Sequence, residues 1–172
     1  MSTAAKQPAT QETDLVIMRE IAAPRSRVWQ AFTQVEQLAK WWGPIGLTME
    51  SVSLDLRPGG AFHYGMRTPG GEEMWGLFVY REIVPEERIE FVSSFSDATG
   101  GLSRHPMAPD WPVEILNRYF FEDLGDRTRM TVRGTPINAT PAEVAVFAAN
   151  HPSMNQGFAG TFKQLDEFLK QG

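Results

Sequence analysis

The chain has 172 residues, 42% of them hydrophobic, and 16 Lys and Arg against 21 Asp and Glu leave a net charge of −5. That length is enough for one domain with a full core, and the acidic balance, without any Lys/Arg run, excludes the basic face that nucleic acid requires. No cysteine is present, which removes disulfides, thiolate metal sites and thiol catalysis.

No apolar stretch approaches a bilayer span, and the N-terminus has no basic segment followed by an apolar one. Neither membrane association nor export is therefore expected, and the location read from this is cytoplasmic. Eight Met accompany 5 Trp, 3 Tyr and 11 Phe, side chains that fill irregular spaces and repack around apolar guests.

Residues 1–13 are small and polar and are expected to be a disordered tail, with one domain over 14–171. Leu15 to Ile21 reads as a strand. Ala23-Pro24-Arg25-Ser26 opens a helix with Pro in its first turn. Val28, Trp29, Phe32 and Val35 recur at helical spacing, and a second short helix carries Leu38, Trp41 and Trp42. Two adjacent indoles cannot share one face, and Gly43-Pro44 ends the helix behind them.

From Leu47 the period falls from about 3.6 to 2. Val52, Leu54 and Leu56 alternate with polar residues, as do Phe62, Tyr64 and Met66. In Asp55-Leu56-Arg57-Pro58-Gly59-Gly60, both glycines are expected at positive φ. Pro69-Gly70-Gly71 and Pro85-Glu86-Glu87 read as hairpin turns on either side of the strand Met74–Val84, whose two faces are equally apolar. On the next strands Ile115, Asn117, Tyr119 and Phe121 alternate with Glu114, Arg118 and Glu122, and Met130 and Val132 with arginines and Thr131.

Thr140-Pro141-Ala142-Glu143 is a capping box. The helix is interrupted near His151-Pro152 and resumes with Met154, Phe158, Phe162, Leu165 and Leu169 as one apolar stripe. The order is α+β: a curved antiparallel sheet of about six to seven strands around a long C-terminal helix, with two short helices after strand one. A sheet that grips one helix leaves a cleft between them, suited to a small apolar molecule.

Arg19, Ala23-Pro24 and Trp41-Trp42-Gly43-Pro44 in this order resemble the START/Bet v 1-like (SRPBCC) helix-grip superfamily. Asp55-Leu56-Arg57-Pro58-Gly59-Gly60, Glu82-Ile83-Val84-Pro85 and Gln156-Gly157-Phe158 narrow the likeness to its bacterial branch, related to the C-terminal domain of the Hsp90 ATPase activator Aha1. The resemblance covers about residues 14–170 and implies the helix-grip fold. Members of the superfamily include lipid and polyketide binders, cyclases and co-chaperone domains, so it implies a ligand, a reaction or a chaperone contact without choosing among them.

The lining expected for an apolar or aromatic ligand is Phe62, Tyr64, Met66, Phe91 and Phe95 from the sheet. Trp111, Asn117 and Tyr119 join them, with Phe158 and Phe162 from the last helix. Asn117 and Tyr119 have inward parity, so each needs either a backbone or water partner or a ligand oxygen. His63, His105 and His151 show no metal-binding spacing, and neither metal nor cofactor is expected. For proton transfer the candidates are His105, Tyr64 and Asp110, of which Asp110 with Glu114 flanks Trp111; no Gly-x-Ser-x-Gly or Ser-x-x-Lys names a reaction. The loop 96–111, with Met107 and Trp111, is expected to be a loosely held lid, and Gly157 to allow close helix–sheet approach. Leu116 and Phe120 point outward and hint at a protein contact, either a chaperone or a second copy.

Overall fold

The computed structural model describes residues 13–105 and 108–171. The expected tail, apart from Thr13, and Met107 of the expected lid lie outside the described residues. Thr13 itself is held, its carbonyl 3.1 Å from His151 Nε2, which donates.

Strand β1 (Leu15–Ile21) precedes α1 (Arg25–Thr33) and α2 (Val35–Trp41). Then follow β2 (Thr48–Leu54), β3 (Ala61–Arg67), β4 (Glu73–Val84), β5 (Arg88–Ser96), β6 (Leu102–Ser103), β7 (Glu114–Asp123) and β8 (Thr128–Ile137). Two helices close the chain, α3 (Pro141–Ala149) and α4 (His151–Lys170). The strands form one antiparallel sheet in the order β1-β8-β7-β5-β4-β3-β2, with β6 paired to β5 beside that path. The strand beyond the expected six to seven is β6, two residues within the expected loop 96–111. Among the described residues no helix is long and apolar enough to cross a membrane.

The short helices bend at Gln34, whose extended backbone separates them. Trp41 ends α2 fully buried, with its indole N–H donating to the Ala31 carbonyl at 2.9 Å. Trp42 turns the other way, its ring edge-on to Trp41 at 5.6 Å. Gly43 follows at φ 111°, a conformation that disfavours any side chain, and its carbonyl accepts from Thr161 Oγ1 at 3.1 Å and Gln164 Nε2 at 2.6 Å on α4. The Trp-Trp-Gly-Pro string is therefore a clasp between the short helices and the long one.

Sheet curvature and pairing settle the two-faced strand β4. Phe78 and Tyr80 turn inward against Phe91, with Phe78 stacked on Phe91 at 4.2 Å. The register shifts between Tyr80 and Glu82, a bulge that bends the strand. Positive φ at the Pro58-Gly59-Gly60 turn belongs to Gly59 (84°) alone. Gly60 is required for a different reason, because a Cβ there would lie 2.1 Å from the Asp55 carbonyl oxygen.

Helix α4 lies across the inner face with Phe162 and Leu165 fully buried among sheet and short-helix side chains. Arg19 on β1 reaches it, with Nη2 2.7 Å from Asp166. On the outer face the parity of Leu116 holds but the expected exposure does not: Leu116 sits between Val92 and Thr135 and is only 7% exposed. Phe120 is half-buried. The most exposed apolar side chain there is Met18 of the edge strand β1, at 63%.

Candidate functional site

The pairing of β5 with β7 stops at Ser93 and Ile115, beyond which β5 continues with β6 while β7 runs off toward Pro112. No strand of the described residues fills the wedge, and a cleft opens there between the sheet, the Trp42-Gly43-Pro44 clasp, the segment around His105 and the first half of α4. It has two adjoining chambers. The inner, ≈190 Å³, is floored by Phe91, Ser93, Asn117 and Tyr119, and the outer, ≈540 Å³, opens past Met154, Gly157 and Thr161. Trp42, Tyr64, Met66, Met74, Phe95, Trp111 and Phe158 wall both.

Eight of the ten residues expected to line a cleft face these chambers: Phe91, Asn117 and Tyr119 the inner one, and Tyr64, Met66, Phe95, Trp111 and Phe158 both. Phe62 and Phe162 do not. Phe62 lies fully buried beneath Tyr64, stacked at 4.8 Å, and Phe162 lies behind Phe158 at 5.9 Å, so each supports a wall without forming it. Among the proton-transfer candidates, His105 stands at the rim of the outer chamber, edge-on to Phe95 at 4.9 Å. Tyr64 reaches both chambers. Asp110 is exposed and borders neither, and the Glu114 carboxylate accepts from Asn138 Nδ2 at 3.2 Å instead of pairing with it.

Sequence reasoning missed Trp42, Met74, Phe78 and Met154 as walls. Trp42 had left a signal, since Trp41 takes the core position and its neighbour must face elsewhere. Gly157 is also placed differently from expectation. Nothing lies within 4 Å of where its Cβ would be, so it borders open space at the outer chamber and makes no tight approach to the sheet.

Among the described residues, no Asp, Glu, Lys or Arg lines either chamber. Burial pushes the Tyr64 phenol above its ordinary pKa, partly offset by a hydrogen bond from the Trp42 indole. Burial also raises Tyr119, as do, to a lesser degree, Tyr64 and Tyr80. Both phenols are therefore neutral donors across the physiological range. Asn117 uses its amide hydrogens within the protein, donating to Ser93 Oγ at 2.8 Å and to the Ile115 carbonyl at 3.0 Å.

The segment beside the mouth is fastened more firmly than a loose lid would be. Arg104 Nη1 donates to Glu143 Oε2 at 2.9 Å and to the Pro109 carbonyl at 3.1 Å. Glu143 is the N3 residue of the α3 capping box, so the same carboxylate that holds Thr140 N–H also holds Arg104. Its pKa is held below the usual carboxylate value first by the Thr140 backbone N–H and then by Arg104. Trp111, tilted against Phe147 at 5.6 Å, anchors the other end to α3.

Residues 22–170 match the family described as activator of Hsp90 ATPase homolog 1-like protein. The chain belongs to this family. No curated protein matches it. Among solved structures, a Mycobacterium smegmatis protein is 29% identical over 91% of this chain and 90% of its own, with a TM-score of 0.73. A Nitrosomonas europaea protein is 26% identical over 94% and 97%, TM-score 0.74, and an Arthrobacter aurescens protein is 25% identical over 95% and 91%, TM-score 0.76. The helix-grip arrangement implied by the sequence resemblance is thus the fold of this AHSA1-like chain. Membership fixes the scaffold, while activity has to be argued from the cleft.

Proposed function

We propose that this AHSA1-like chain binds a small apolar, aromatic molecule in the two-chamber cleft between its sheet and the first half of α4. The observation that carries the reading is the wall itself: Trp42, Tyr64, Phe95, Trp111 and Phe158 with Met66 and Met74 surround a hollow whose outer part measures ≈540 Å³. That size and composition match sites that enclose most of a small ligand. Burying about 200 Å² of apolar ligand surface contributes about 5 kcal/mol before the costs of association. Catalysis is a weaker reading, since of its three candidates only Tyr64 and His105 border the cleft. A chaperone or homodimer contact through Leu116 is weaker too, because that side chain is covered.

Native mass spectrometry of the purified chain, followed by extraction, tests the proposal. The expected result is a co-purifying aromatic molecule of a few hundred daltons that is lost from the Gly157→Phe variant, whose new ring fills the mouth. A bare protein whose tryptophan emission also stays unchanged with a panel of aromatic compounds would overturn it.

A further inference from the structure

We infer that the cleft selects an uncharged aromatic ring carrying a hydrogen-bond donor at its buried end, and that Asn117 Oδ1 receives this donor; the inference rests on reading the cleft as a ligand site. Asn117 is more than nine-tenths buried and lines the inner chamber. Its amide can be oriented in only one way. The Ile115 carbonyl, 3.0 Å away, only accepts, so the Asn117 nitrogen must face it, and the second amide hydrogen goes to Ser93 Oγ. That leaves Oδ1, which meets no donor among the described residues and is not one of their sealed-off unpartnered atoms, so it opens on the chamber.

Amide oxygens of buried residues are normally met by protein, water or ligand. Of the other polar groups there, Ser93 Oγ already accepts from Asn117 and the Tyr64 oxygen from the Trp42 indole, while the Tyr119 hydroxyl can both donate and accept. Asn117 Oδ1 can only accept, so the ligand group set against it must carry an O–H or N–H; an ether or ketone oxygen in that position would meet it lone pair to lone pair and would have to turn to a hydroxyl such as that of Tyr119. Charge is disfavoured because, among the described residues, no Asp, Glu, Lys or Arg lines either chamber and the one imidazole, His105, stands at the outer rim, and an ion buried without a partner is costly. Size completes the description: an apolar cavity of about 150 Å³ takes a benzene ring, so ≈190 Å³ takes one ring with a small substituent, and a second ring extends into the outer chamber.

Calorimetric titration of the full chain with three probes at neutral pH tests this: 2-naphthol, its methyl ether 2-methoxynaphthalene, and 2-naphthoate. Naphthol is expected to bind about three- to tenfold more tightly than the ether, the range of one net hydrogen bond, and naphthoate more weakly than both. In Asn117→Leu the naphthol-to-ether ratio is expected to fall to about one. Equal binding of naphthol and ether by the unmodified chain, or a preference that survives Asn117→Leu, overturns the donor assignment. Naphthoate binding most tightly overturns the exclusion of charge. In all of these outcomes the cleft remains a ligand site; if none of the three probes binds, it is the cleft reading itself that fails. The comparison on the unmodified chain decides the matter even where the variant does not fold.

Discussion

The Tyr64 ring on β3 lies across Gly76, its cross-strand partner on β4: a Cβ at residue 76 would sit 2.3 Å from both Cζ and Oη of the phenol. One strand position over, Trp75 covers Gly65 in the same way, with a hypothetical Cβ 2.8 Å from its ring. The sheet thus trades two side chains for two rings, one of which becomes the wall between core and cleft.

Tyr64 cannot swing away to admit a methyl group, since Phe62, Phe78 and Trp42 hold it on three sides. Gly76→Ala is therefore expected to lower stability by about 1–3 kcal/mol, the usual cost of overpacking, and to weaken binding of an aromatic probe. Urea denaturation checks the first effect; a change within about 0.5 kcal/mol would mean that the ring yields freely.

Gly157 offers the opposite case. Its Cβ would meet nothing within 4 Å, and it sits inside α4, where glycine is a poor helix former. Gly157→Ala is expected to stabilise the chain by about 0.5–1 kcal/mol. Gly157→Phe should keep the fold and close the outer chamber. Melting temperature and probe affinity should move in opposite directions for this position, and a joint fall in both would show that the helix is packed there after all.

The clasp at Gly43 depends on two donors from α4. Removing the shorter bond with Gln164→Leu leaves the carbonyl with Thr161 alone, and the double variant with Thr161→Val leaves it with neither. The double variant should cost about 1–3 kcal/mol more than the mild single one, the penalty of an unmet buried acceptor. Additive, small losses in a chemical-denaturation cycle would count against the clasp.

Glu143 links stability to acid. Its pKa in the folded chain lies below that of the unfolded chain, held there by the Thr140 N–H and by Arg104. Its contribution is therefore complete above the ordinary carboxylate pKa, about 4.3, and is lost as the pH falls through the lower folded value. Glu143→Gln should flatten the fall of melting temperature below about pH 4.3. It should not abolish that fall, because Asp97, bonded by Thr99 and by backbone N–H groups, and Glu82, bonded by Arg88, titrate in the same direction. An acid slope identical to that of the parent would contradict the role given to Glu143. Hydrogen exchange offers a companion readout for its partner: Arg104→Ala should speed exchange at the Trp111 amide, which donates to the Ala108 carbonyl at 3.0 Å within the segment that Arg104 fastens.

How much could be read before any coordinates varied with the kind of force involved. Alternation along β7 was sufficient to turn Asn117 and Tyr119 inward, because Glu114, Arg118 and Glu122 have only one face on which to be solvated. Spacing along α4 was sufficient for the stripe from Met154 to Leu169, since a helix repeats its face locally. Thr140 and Glu143 announced their capping box in four residues. These are short-range consequences of backbone geometry and solvation, and one chain carries them in full.

Other features depended on which segments meet, and no local pattern encodes that. Strand β4 was ambiguous because both its faces are apolar, and only the pairing with β5 turned Phe78 inward and Leu77 outward. Gly60 read as a positive-φ turn residue and Gly76 left no local signal, yet each is a position where another group, Asp55 or Tyr64, approaches too closely for a side chain. Leu116 had outward parity, yet neighbouring strands cover it. The cleft itself arises where β5 and β7 separate after Ser93 and Ile115, so that Trp42 and Trp111, 69 positions apart in sequence numbering, become facing walls. Sequence therefore determined every element but β6, the buried faces of those with one-sided patterning, and the presence of a gripped helix. Tertiary structure alone decided the hollow, since a void is set by what distant segments fail to fill.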